Sequence, residues 1–513
     1  MSVCHCKHHH FNTWRFLKSG GLILSILSSL CLLHSTLSQT LDLTLERAVS
    51  IAMENSYRIR RLELGIERTR LFLRARQAQL KSSVALELKS PEFEKVSDYK
   101  WNSTLQRDEV VRLNTRLWEG ELSISQPVIL FGYPTNGYLS LNSRTYRYNQ
   151  QKDETENTTW YNRYFVRFKQ PIFQPNFLKN NITEAELDLE GENLRYISDQ
   201  IDLIDDISDD YFDLFEEAYR SKIYANEVED LERVLDIAET AADDEPDRKI
   251  ELLQVQLELG NSHERLLRNR SRVRSETEQL RGNIGLGKDV LITLDPEIYI
   301  RPIEVNTEEA IRYGLSLRPR LRALEINKKK QEIDLDNTKG RNAFHLNLEL
   351  TYGLEKQEET FNDLWNQYDN SYSVSVEAYI PIWDWGRRKT LIAADKISLR
   401  RSELAIEEFQ EKVETDIRNA IEDLQEFQRR TLTMEEHLET SEALIEASVE
   451  QYEDGKMALQ DILRSIKTQS ETGRAFLDAY LGYRKSTLSL MTKTYYDFEF
   501  GQPLIERFQV QSR

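Results

Sequence analysis

The sequence predicts an α+β protein built twice over, in which each copy joins membrane-type β-strands to a very long helical hairpin. Three observations carry that prediction. The stretch over residues 171–253 recurs, at one constant offset, over 381–463. Pro171-Ile172-Phe173 returns as Pro381-Ile382-Trp383, Ile207 and Leu214 as Ile417 and Leu424, and Glu251-Leu252-Leu253 as Asp461-Ile462-Leu463. An internal repeat of this length constrains the architecture before any short motif does. Residues 179–241 contain no proline and one glycine, Gly191, and residues 390–454 contain neither. At about 1.5 Å per residue the first of these helices is on the order of 95 Å long. It cannot belong to one compact core and needs partners along its length, as in a coiled coil or a tube of helices. Finally, Phe344, Leu346, Leu348, Leu350 and Tyr352 alternate with His345, Asn347, Glu349 and Thr351. That period of two is what a barrel wall with a wet interior requires, with a soluble half-buried sheet as the alternative.

Taken in order, the chain opens on a secretory signal peptide. Lys7, Arg15 and Lys18 precede an uncharged apolar run over residues 22–33, and Thr36 and Ser38 stand before Gln39 as a cleavage site. The run is too short to span a bilayer. Cys31 fits a lipoprotein signal poorly, because Ser28-Ser29-Leu30 precedes it. Cys4, Cys6 and His8 to His10 resemble a metal site, but they leave with this segment. All three cysteines leave as well, so neither a disulfide nor thiol chemistry is expected in the rest. The formal charge of −19 becomes more negative once the basic signal is removed. Such an acidic chain repels nucleic acid. No later stretch is apolar for long enough to form a transmembrane helix, so any membrane span must be a β-barrel.

Residues 41–79 read as one helix, repeated over 305–339: Ala48 matches Ala310, and Leu62-Glu63 matches Leu324-Glu325. Between Lys81 and Pro171 the first copy holds more strand material than the second. Val84, Leu86 and Leu88 alternate, as do Val111, Leu113, Thr115 and Leu117. Residues 132–137 read as a turn, and the polar stretch 149–159 as a loop. The expected division is signal peptide 1–38, first repeat 39–290, connector 291–304, second repeat 305–500 and C-terminal tail 501–513. A short strand over 290–294 falls within the region joining the repeats.

Little suggests catalysis. Gly282 to Asp289 nearly spells a phosphate-binding loop, but Asp289 stands where a Ser or Thr must hold magnesium. It also follows a helix rather than a strand, so it reads as a helix stop. Asp205-Asp206 and Asp209-Asp210 read as a solvated acidic helix face. His263, His345 and His437 are far apart, and no nucleophile or zinc set assembles. No cofactor is expected. The hairpin tips carry the remaining candidates. Gly455 breaks the second helix, with Asp461 six residues on. Glu245-Pro246 forms the first tip, with Glu251 six after Glu245. Both acids are either functional or ordinary surface carboxylates.

Three segments then carry a resemblance to the TolC family of outer-membrane efflux ducts. They are Leu45-Glu46 with Ala48 and its copy Glu308-Glu309-Ala310, the junction Pro381-Ile382-Trp383-Asp384-Trp385-Gly386-Arg387-Arg388, and the second tip from Tyr452 to Leu463. The resemblance covers nearly the whole chain after the signal. It implies a trimer with a transmembrane β-barrel in the outer membrane, continued by a periplasmic α-helical barrel. It implies docking of an adaptor and an inner-membrane pump at the tips Gly455, Glu245 and Pro246. Tyr452 and Glu251 match a gate link, while Met457 stands where a second link uses arginine. Asp461 matches the family's aperture aspartate, and Arg464 replaces a second one. Glu245-Pro246 departs from the family's usual glycine at the first tip. Four strands per protomer would make twelve in a trimer, and an extra hairpin would make eighteen or lie outside the wall. An envelope-spanning tether or adhesin without a pore is the alternative.

Overall fold

The computed structural model describes residues 40–152, 155–244, 248–288 and 290–509. The signal-peptide reading, all three cysteines and the Glu245-Pro246 turn lie outside these residues.

The first described element is a strand where a helix was expected. β1 (Thr40–Asp42) pairs in parallel with β6 (Leu291–Thr293), Leu41 opposite Ile292. Thr44 then caps α1 (Leu45–Asn55), its hydroxyl accepting from the Arg47 amide at 3.3 Å. The single helix expected over 41–79 is two helices. Ser56 is extended and caps α2 (Tyr57–Ala78) by accepting from the Arg58 amide. The later counterpart breaks at Arg318. Pro319 forces the preceding residue into an extended conformation and then opens a helix, so α5 (Thr307–Leu317) gives way to α6 (Pro319–Gly340).

Six strands form one antiparallel sheet in the order β2-β3-β4-β5-β7-β8. They are β2 (Ser83–Asn102), β3 (Arg107–Leu130), β4 (Tyr133–Lys152), β5 (Thr155–Ile172), β7 (His345–Glu358) and β8 (Asp369–Tyr379). The stretch 149–159, read as a loop, instead continues the β4–β5 ladder. Asn149 pairs with Thr158 and Gln150 with Asn157. Polar composition marks these strand ends because no apolar face is required there. The turn expected over 132–137 is tighter. Phe131 (φ 51) and Gly132 (φ 84) make a two-residue hairpin turn, and Tyr133 already pairs with Leu130. Between β7 and β8 a short turn, Asp363–Trp365, buries Leu364.

The sheet runs into two long helical hairpins. α3 (Phe177–Asp244, 68 residues) returns through α4 (Lys249–Asn283), and α7 (Arg387–Glu453, 67 residues) through α8 (Leu459–Thr494). The order of elements is therefore the same in both halves: two short helices, strands, a long helix and a returning helix. α4 ends as the glycine-rich stretch predicts. Gly285 turns left-handed (φ 76), and the Leu286 amide reaches back to the Arg281 carbonyl at 3.0 Å.

The main core lies where α1, α5 and the β1–β6 pair meet the long helices. Ile204, Ile207, Leu214, Ile417, Leu424 and Tyr483 are fully buried there. Truncating a buried leucine or isoleucine of this kind costs about 2–5 kcal/mol. The tail also belongs to this core. β9 (Tyr496–Asp497) pairs with β10 (Gln502–Pro503), and α9 (Leu504–Gln509) seats Leu504 at 0% exposure. Arg507 there reaches Asp497 at 2.7 Å and Glu46 at 2.6 Å.

The acidic run on α3 is not simply solvated. Asp206 pairs with Arg58 at 2.7 Å, Asp209 with Lys485 at 3.5 Å, and Asp210 accepts from Gln279 and Asn283. Burial pushes the Asp205 carboxyl up, and the neighbouring Asp209, Asp206 and Asp202 add to the shift. The run stitches α3 to α2, α4 and α8. Sequence hid this because the partners lie far away along the chain.

Candidate functional site

Two places gather polar side chains in a way packing alone does not explain: the helical tips and one face of the sheet.

At the second tip α7 stops because Gly455 adopts φ 70. The Lys456 amide bonds to the Gln451 carbonyl at 2.8 Å and the Gly455 amide to that of Tyr452 at 3.0 Å, which closes the helix end. Leu459, Ile462 and Ile466 of α8 then pack with Ile445, Val449 and Tyr452 of α7. Leu231, Val234, Ala238 and Val255 of the other hairpin join the same cluster, so both hairpins end in one apolar knot. The Gln460 amide donates to Gln254 at 3.1 Å and ties the returning helices together.

Asp461 lies in the first turn of α8, where the helix dipole favours a carboxylate. Its side chain is 58% exposed, and Arg464 lies 3.9 Å away at 79% exposure. The two expected aperture residues are thus neighbours on one helix. Tyr452 is 3% exposed, and its hydroxyl has no hydrogen-bond partner among the described residues. Burial pushes this phenol up, the Glu251 charge adds to the effect and Arg248 opposes it. Glu251 sits instead 4.0 Å from the Arg248 guanidinium. The expected bond from the Tyr452 phenol to Glu251 is not made in this arrangement. Arg248 stands three residues before Glu251, a helical spacing that could have revealed it. Gly455, Asp461, Arg464, Tyr452 and Glu251 fall in one region of the fold. Glu245 and Pro246 lie outside the described residues.

The sheet divides cleanly. One face carries Val84, Leu122, Ile124, Leu141, Val166, Leu350, Tyr352 and Val374, all more than a third exposed. The opposite face is a ladder of ion pairs. Glu119 takes Lys89 at 3.2 Å and Arg144 at 2.8 Å, Arg163 meets Glu355 at 3.5 Å and Arg167 meets Glu349 at 3.2 Å. The alternation was legible in sequence, but the pairs were not, because they depend on register. No helix among the described residues is long and apolar enough to cross a membrane. No cluster of three or more potential metal-ligating side chains occurs among them either.

A sheet with one greasy and one charged face feeds helices on the order of 100 Å long, the combination that an envelope-duct subunit requires. Residues 314–492 match the family described as "Outer membrane efflux protein". That match covers 179 of the 513 residues. Among solved structures the chain is similar to the Campylobacter jejuni CmeC outer membrane channel, at 12% identity over 91% of this chain and 89% of that one, with a TM-score of 0.63. It is similar to the Vibrio cholerae outer membrane protein VceC, at 11% identity over 88% and 95%, with a TM-score of 0.63. The open state of the Neisseria gonorrhoeae MtrE outer membrane channel gives 13% identity over 88% of each chain, with a TM-score of 0.60. These are likenesses of fold. Among curated proteins none matches the chain in sequence.

Proposed function

We propose that this protein is the outer-membrane channel of a tripartite efflux pump or type I secretion system. Substrates pass through it chemically unchanged, from an inner-membrane pump and its periplasmic adaptor to the outside. The observation that carries the reading is the two-faced sheet continuing into the long hairpins. A tether or adhesin needs no apolar and charged division of its strands.

The assembly we infer is a trimer built from two-repeat protomers. Its support is that β2 and β8 each end the sheet with an unpaired edge. The helices that continue those strands carry exposed apolar residues: Leu64, Leu71 and Phe72 on α2, and Leu391, Ile397 and Leu404 on α7. An open edge beside an exposed apolar helix face fits a second copy. With six strands per protomer, closure would give eighteen, with lipid against the apolar face and water against the ion-pair ladder. Mass measurement in mild detergent and conductance in a planar bilayer test this together. A monodisperse monomer, or a trimer without conductance, would refute it.

Within that assembly we assign Asp461 and Arg464 to the aperture, Gly455 with Glu245 and Pro246 to adaptor docking, and Tyr452 with Glu251 to a gate link. The Tyr452 hydroxyl is buried, has no partner among the described residues and feels the Glu251 charge, so a shift of the tip would supply its missing bond. A phenol–carboxylate bond is worth about 1.5–3 kcal/mol. Tyr452→Phe should raise open-channel conductance and Glu251→Gln should raise it less, with thermal stability retained in both. Equal conductance in wild type and both variants would remove the link.

A further inference from the structure

The arginines of the sheet sort by face. Arg144, Arg163 and Arg167, on the charged face, each meet a glutamate. On the apolar face Arg147 meets rings instead. Trp118 and Trp160 are its direct cross-strand neighbours, and its guanidinium lies 5.2 Å from one ring and 5.5 Å from the other. Among the described residues its Nε is buried without a hydrogen-bond partner, as are those of Arg144, Arg163 and Arg167. One row further from the helices, Arg116 lies over the Phe93 ring at 5.8 Å. Lys95 follows, opposite Asn114, in the next row. Among the described residues Arg147, Arg116 and Lys95 take part in no ion pair, in a chain of net charge −19. Of the nearby acids, Glu358 holds Lys356 at 2.6 Å, and Glu156 accepts from the neutral Asn149 amide at 2.7 Å.

The height of the patch identifies its partner. Along β5 the apolar face runs from Ile172 through Phe168, Val166 and Tyr164, and Trp160 stands above it. At ordinary strand rise and tilt the distance from Ile172 to Trp160 is roughly 30 Å along the membrane normal. The three cations therefore emerge where the hydrocarbon ends on the side away from the helices. An aromatic clamp keeps Arg147 from folding back into the apolar band, and no carboxylate neutralises it.

We propose that Lys95, Arg116 and Arg147 form a binding site for the phosphate groups of outer-leaflet lipid. The proposal rests on the membrane-spanning reading of the sheet. Guanidinium groups present forked donors that match phosphate oxygens, and the flanking rings cover the upper acyl chain and sugar.

The test uses the full-length protein in dodecyl maltoside. Bis-phosphorylated lipid A and its dephosphorylated form serve as probes, with bound lipid counted by native mass spectrometry. Wild type should hold the phosphorylated lipid. Lys95→Gln, Arg116→Gln and Arg147→Gln combined should weaken it about a hundredfold, at about fivefold per cation. Arg147→Gln alone should weaken it several-fold, and Arg147→Lys should retain most of it. Equal affinity in wild type and the combined variant, or equal affinity for both lipids, overturns the site. Conductance of the same preparations separates the two readings. A conducting wild type that does not discriminate the lipids overturns this proposal alone. A silent wild type overturns the duct on which it rests.

Discussion

Asp461→Asn is expected to abolish block by multivalent cations added at the helical end of the channel, weakening it at least tenfold, and to lower cation selectivity. In a trimer three copies of Asp461 would crowd one axis. Carboxylates so placed repel one another and attract counter-ions. The pairing with Arg464 blunts this field only weakly, since 3.9 Å between two exposed groups is a loose contact. Arg464→Asp should therefore raise both block and selectivity by removing three positive charges and adding three negative ones. Reversal potentials in asymmetric salt measure the outcome. Identical ion preference in wild type and Asp461→Asn would make Asp461 an ordinary surface acid.

Gly455→Val should cost most pump-dependent export while leaving the assembly intact. A Cβ at Gly455 meets nothing within 4 Å, so the damage is not a clash. It is conformational. φ 70 costs a β-branched residue at least about 1–2 kcal/mol, and the tip relaxes to another shape. Gly455→Asn separates shape from composition, because asparagine tolerates this region of backbone space. It should export nearly as wild type does. Full export by Gly455→Val and by a bulkier variant such as Gly455→Trp would move the docking site elsewhere.

Much of this was legible in sequence wherever periodicity or punctuation carries the signal. The alternation over Phe344 to Tyr352 gave a strand, Gly285 gave a helix stop and Gly455 gave a tip. What escaped depends on tertiary partners. Leu41 looked helical because it precedes a strong helix, yet Ile292, far along the chain, draws it into a strand. Asn149 to Thr158 looked like a loop because polar strand ends lack an apolar face. At the candidate site the acids were visible, but not their cations. Arg248 stands 4.0 Å from Glu251, and the Tyr452 hydroxyl does not reach that carboxylate.

The parallel β1–β6 pair sets a timetable for folding. Thr40 meets Leu291, so the first described strand finds its partner only when the midpoint arrives. β5 similarly waits for β7, with Phe168 opposite Leu350. Contacts this distant in sequence make folding slow, because the closure of long loops must precede any gain from pairing. The first half cannot complete its own sheet or its own N-terminal strand. It therefore stays open while the second half is still being delivered.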